Sequence, residues 1–125
     1  HSSGERTSEL FKLLDRAEGS RYGANIIFHS LGSVDAGMLA RECYKNGIDI
    51  RGVYSLGAFT GEDFGDVGQV VNFKSNRFHI FGEQECRGEN ATTEEVDSNH
   101  LDLPDRTESY IREHMRDSFF RTLRD

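Results

Sequence analysis

The run Ala24-Asn25-Ile26-Ile27-Phe28-His29-Ser30-Leu31-Gly32 constrains this chain more than any other. Its first five residues are apolar except Asn25 and β-branched at the centre, which suits a strand buried on both faces of a parallel sheet. A helical pattern starts almost at once, near Ser33, and continues to Asn46 before Gly47 stops it. A strand feeding directly into a helix needs a parallel partner strand on the far side of that helix. Ile48 to Leu56, "IDIRGVYSL", supplies one.

The rest of the chain continues the alternation. Thr7 can cap a helix to about Glu18, with Leu10, Phe11, Leu14 and Ala17 on one face and Gly19 as its stop. Val34, Met38, Leu39, Cys43 and Tyr44 form the expected apolar side of the second helix. After Leu56 comes "GAFTGEDFGDVG", whose glycines mark a loop at the C-terminal end of a strand. "QVVNF" (69–73) and "RFHIF" (77–81) read as further strands, and Glu83 to Asn99 reads as loop. Pro104 sits in the first turn of a last helix, on which Ile111, Met115 and Phe119 recur every four residues. This order predicts one α/β domain over residues 1–125, a small, mainly parallel sheet flanked by helices. Ligands of such sheets bind beyond the C-terminal ends of the strands, so Ser30, the 57–68 loop and the segment after Phe73 belong to one edge.

Charge narrows the function. With 15 Lys and Arg against 22 Asp and Glu, the net charge is −7, a balance that disfavours a nucleic-acid groove. Arg106, Arg112, Arg116, Arg121 and Arg124 alternate with carboxylates, as on a solvated helix face. No apolar run is long enough to span a bilayer, and the chain reads as a soluble globular protein. Asn90-Ala91-Thr92 fits a glycosylation acceptor, so secretion stays open. Two cysteines, Cys43 and Cys86, make no disulfide framework, and Cys43 is expected as a buried thiol. His79, Cys86 and His100 lack zinc spacing, and "GAFTGEDFG" lacks the G-K-[ST] of a phosphate loop. No metal and no cofactor is expected.

The strand ending in His29-Ser30-Leu31-Gly32 and opening a helix resembles the nucleophile elbow of the α/β-hydrolase family, whose lipases and esterases carry the same "HSLG". At such an elbow the serine sits in a sharp, strained turn and its hydroxyl stands above the sheet. Phe28 occupies the first glycine position of G-x-S-x-G, Gly32 the second, and Ser33 follows where a further glycine is familiar. "YSLGAF" (54–59) resembles the family's next strand. The resemblance implies Ser30 as nucleophile and the Leu31 N–H as oxyanion donor. The family order of serine, acid, histidine implies His100 as base, in the polar "DSNHLDLP" before the last helix. His29 should point away from Ser30 and is not the base. Asp63 is the first choice of acid, with Asp66, Glu83, Glu85, Asp97 and Asp102 as alternatives. The opening strands of the family are absent, so the chain is expected to be an abbreviated version, or a fragment or C-terminal module of a longer protein.

The implied function is a serine hydrolase acting on a small-molecule or lipid ester. A sheet lacking its opening strands exposes an edge that can pair with a protein partner or a second copy. Two other classes stand beside this reading. One is a secreted bacterial effector or toxin domain with nuclease activity, built on His79, His100 and Arg and Glu side chains. The other is a non-catalytic hydrolase-like module that binds a partner.

Overall fold

The structure, a computed structural model, describes residues 23–77 and 82–124, with side chains to Asp117. The expected first helix at 7–18, residues 78–81 of "RFHIF" with His79, and the Phe119 side chain lie outside the described residues. Within them the elements are β1 (Ala24–His29), α1 (Gly32–Lys45), β2 (Ile50–Leu56), β3 (Val70–Ser75), β4 (Ala91–Val96) and α2 (Leu103–Arg124). The four strands form one sheet in the order β1-β2-β3-β4, every neighbouring pair parallel. No helix among the described residues is long and apolar enough to cross a membrane.

Strand periodicity decides which helix each residue meets. Along β1 the side chains alternate between the two faces of the sheet. Ala24, Ile26 and Phe28 join Val53, Val70, Ala36, Leu39 and Cys43 in the core beneath α1. The opposite face buries Tyr54, Leu56, Val71 and Phe73 against Leu103 and Ile111 of α2, with Met115 packed at the margin. Leu103, Thr107 and Ile111 recur every four residues, and the Thr107 hydroxyl donates to the Leu103 carbonyl at 2.8 Å rather than remaining unpaired in the interface.

Helix α1 buries a narrower stripe than its hydrophobic residues suggest. Ser33, Ala36, Gly37, Leu39 and Cys43 face the core, whereas Val34 is 38% exposed and Tyr44 82%. Small residues win because the 57–68 loop lies across the helix. A β-carbon at Gly37 would meet the Glu62 carboxylate at 2.9 Å. The interior of the helix selects for close approach there, and the large side chains turn outward.

Residues 58–65 of the β2–β3 connection and 84–89 before β4 lie on the α1 face and are stitched to each other. Gln84 N–H donates to the Ala58 carbonyl (2.8 Å), Arg87 N–H to Glu62 (2.8 Å), Phe64 N–H to Arg87 (2.8 Å) and Glu89 N–H to Gly65 (2.9 Å). Ala58, Phe64 and Cys86 are carried into the core by this seam. The expected loop from Glu83 to Asn99 is therefore corrected in its second half, which contains β4. That strand reads Ala-Thr-Thr-Glu-Glu-Val and is largely exposed, so the burial pattern that betrays a strand is missing. Glu94 and Glu95 also discourage further pairing at this sheet edge.

Candidate active site

The chain leaves β1 at His29 and enters α1 at Gly32, with a two-residue turn between. Ser30 lies in the left-handed region, φ +56, the only non-glycine residue there among the described residues. An L-residue pays roughly 1–2 kcal/mol for that conformation and holds it only where surrounding bonds over-determine it. Three do so. Ser30 N–H donates to the Leu56 carbonyl (3.0 Å), and the Ser30 carbonyl accepts from Phe59 N–H (3.0 Å) and Ser33 N–H (3.2 Å).

Phe28 does not crowd this turn. Its ring points into the α1-side core, 7% exposed, with its centroid 6.2 Å from that of Phe64. A β-carbon added at Gly32 would meet the Phe28 β-carbon at 3.4 Å, ordinary contact distance. One small residue of the flanking pair thus makes enough room. Helix capping is not the role of the local serines either. The N-cap residue is Leu31, without a side-chain cap, and the Ser33 hydroxyl instead accepts from Thr60 N–H (3.0 Å) and bonds the Thr60 hydroxyl (2.9 Å). Leu31 itself is 68% exposed at the helix start, where backbone N–H groups face outward.

Because Ser30 carries strain that glycine does not, Ser30→Gly should be more stable than Ser30→Ala by about 1 kcal/mol. Thermal unfolding of the two variants checks this, and equal midpoints would refute the strain.

His100 stands three residues before α2, and its ring is buried on Glu83. Nδ1 lies 2.7 Å from Glu83 Oε2, with side-chain exposures of 9% and 0%. The same carboxylate accepts Ser75 N–H at Oε1 (2.7 Å) and the Ser75 hydroxyl at Oε2 (2.9 Å). An ionised carboxylate only accepts, so His100 donates from Nδ1–H, and the neutral ring then carries its lone pair on Nε2. The loop is held from outside too. Asn99 accepts Asp102 N–H at 2.9 Å and donates to the Asp102 carboxylate at 3.0 Å, closing the turn that starts α2.

One short segment joins these parts. Leu56 takes the Ser30 N–H, Phe59 donates to the Ser30 carbonyl, and Gly57 between them abuts both His100 and Glu83. The structure therefore gathers Ser30, Leu31, His100 and Glu83 at the C-terminal ends of β1, β2 and β3. It does not bring Asp63 there. Asp63 accepts Gly65 N–H (2.9 Å), lies 4.0 Å from Arg87 Nε and is 62% exposed, so the acid beside His100 is Glu83 and not the first choice. Asp63 fails physically because the seam between the two long connections holds it against Arg87. A signal for Glu83 was available: it is the first carboxylate after "QVVNF", where the hydrolase resemblance places an acid. Glu85 pairs with Lys74 (3.8 Å) and Asp97 with Arg77 (3.3 Å), both at the surface.

Among the described residues the two thiols offer no competing centre. Burial pushes the Cys43 and Cys86 thiols above their ordinary range, so both behave as packing groups rather than nucleophiles. Among the described residues no group of three or more His, Cys, Asp or Glu is placed to hold a metal ion. A groove of about 410 Å³ runs between the C-terminal half of α1 and the 63–67 loop, lined by Ala40, Tyr44, Ile48, Phe64 and Val67. It lies at the other end of the sheet from Ser30. No family model matches the chain, and no curated protein or solved structure matches it.

Proposed function

We propose that this chain is a serine hydrolase of α/β-hydrolase type acting on a small-molecule or lipid ester, with Ser30 as nucleophile, His100 as base and Glu83 as acid. The observation that carries the reading is the left-handed Ser30 at the end of a parallel strand, tied through residues 56–59 to a buried His100–Glu83 pair. The order of attachment supports it as well: serine after β1, acid after β3, histidine after β4, the order of the hydrolase triad.

In the proposed reaction Ser30 Oγ attacks the ester carbonyl carbon while His100 Nε2 takes the hydroxyl proton. Glu83 stabilises the imidazolium and keeps Nδ1 protonated. The tetrahedral oxyanion receives the Leu31 N–H at the helix N-terminus. Collapse expels the alcohol, which leaves with the proton from Nε2, and an acyl-serine remains. Water then attacks this ester, giving its proton to Nε2, and Nε2 returns a proton to Ser30 Oγ as the acid product leaves.

A fluorophosphonate probe tests this directly. The folded chain should gain one adduct mass located at Ser30, and Ser30→Ala should gain none. Turnover of p-nitrophenyl esters should fall at least about 10³-fold in the same variant. Absence of labelling in the folded wild type, or labelling that survives Ser30→Ala, would sink the proposal. Cleavage of RNA or DNA that persists in Ser30→Ala and is lost in His100→Ala would replace it with the nuclease reading.

A further inference from the structure

The mechanism leaves one half-buried titratable side chain at the site without a task. His29 is the residue before Ser30, and strand alternation sends it to the face opposite Phe28. There its Nε2 lies 2.8 Å from the His100 carbonyl oxygen, and the two imidazole rings stack with centroids 4.8 Å apart and planes tilted by 32°. A carbonyl only accepts, so His29 is the donor and carries its proton on Nε2.

We propose that His29 is a positioning residue for His100, a role that rests on the serine-hydrolase reading. A catalytic imidazole must keep its Nε2 within hydrogen-bond reach of the nucleophile through both half-reactions. Glu83 fixes only one edge of the His100 ring. The His100 backbone belongs to the 97–102 connection, whose bond to Arg77 N–H at Ser98 is long, 3.3 Å. His29 adds an anchor at the His100 carbonyl, and its ring backs the imidazole on one face. Since His29 is covalently next to Ser30, nucleophile and base are referenced to the same strand end. Any shift of β1 carries both together.

This explains why a histidine adjacent to the nucleophile is useful although it is not the base. It also separates two contributions that can be removed singly. His29→Gln keeps an N–H near the position of Nε2 and loses the ring. His29→Phe keeps a ring and loses the donor.

The test uses the full chain. With a fluorophosphonate probe, His29→Phe should react with Ser30 about 10- to 100-fold more slowly than wild type, and His29→Gln should recover to within about threefold. In ester turnover the loss should fall on kcat with KM nearly unchanged. The second readout is the His100 Nδ1–H proton resonance, sharp in wild type and His29→Gln and broadened in His29→Phe. Equal probe reactivity of His29→Phe and wild type would overturn the proposal. So would a Nδ1–H signal identical in all three proteins, a result that can be read even if wild type proves unreactive and the hydrolase reading fails separately.

Discussion

Glu83→Gln is expected to lower ester turnover about 10⁴-fold while leaving the chain folded. The reason is a tautomer. In wild type the carboxylate accepts from Ser75 N–H, the Ser75 hydroxyl and His100 Nδ1–H. An amide has the same shape but one oxygen. If that oxygen keeps the Ser75 N–H, the amide NH₂ faces His100 Nδ1, which must then accept. The ring proton moves to Nε2, where it blocks the lone pair that should receive the Ser30 proton. Glu83→Ala should fail differently. It removes the acceptor of two buried Ser75 groups and one imidazole N–H, at a cost of about 3 kcal/mol or more. Steady-state kinetics and thermal unfolding, run together, separate the two variants. A Gln variant keeping a third of wild-type turnover would remove Glu83 from the mechanism.

The second large effect comes from a position with no functional group. Gly57→Ala should both destabilise the chain and silence the site. Gly57 has φ +57, and its N–H donates to the Phe73 carbonyl at 2.9 Å, so the backbone cannot relax freely. A β-carbon there would stand 2.6 Å from His100 Nδ1 and 2.7 Å from His100 Cε1, and would overlap Glu83 Oε2. Both neighbours are buried and bonded to each other, so neither can swing aside as a flexible surface side chain would. Gly47→Ala is the control. Gly47 has φ +70 with nothing within 4 Å of a would-be β-carbon, so its substitution costs only the left-handed strain, about 1 kcal/mol. Gly57→Ala should cost about 2–3 kcal/mol more than the control and reduce probe labelling of Ser30 about 100-fold. If the two alanine variants unfold at the same temperature and label equally, the close packing of Gly57 on the pair is wrong.

Local signals placed Ser30 and Leu31 well. A β-branched run, a short turn and the start of a helical pattern are adjacent in the chain, so the information is contiguous. The position of His100 in the loop before the last helix was legible from Pro104. Which carboxylate meets His100 had only the weaker signal of Glu83 being the first carboxylate after "QVVNF". Asp63 and Glu83 both follow strands in polar, glycine-containing segments, and what distinguishes them is the seam of backbone bonds between residues 58–65 and 84–89. That seam turns Asp63 toward Arg87 and Glu83 toward His100, and pairings between two connections leave no periodic trace in either one. Strand β4 escaped for a related reason. Its pairing with β3 is clear in the backbone, but its side chains are exposed and carry no alternation of burial.

By itself the sequence determined the βα turn around Ser30 and the parallel α/β class, whereas the expected gathering of the whole 57–68 loop at the Ser30 edge fails, because residues 63–67 run back to the start of β2. Those follow from short-range sterics and from the period of apolar residues, which are written into consecutive positions. Only the tertiary structure decided that Phe28 turns into the core, that Glu83 rather than Asp63 meets His100, and that His29 reaches the His100 carbonyl. Each of these depends on which distant segment fills the space beside a residue, and a carboxylate or imidazole acquires its role from that neighbour.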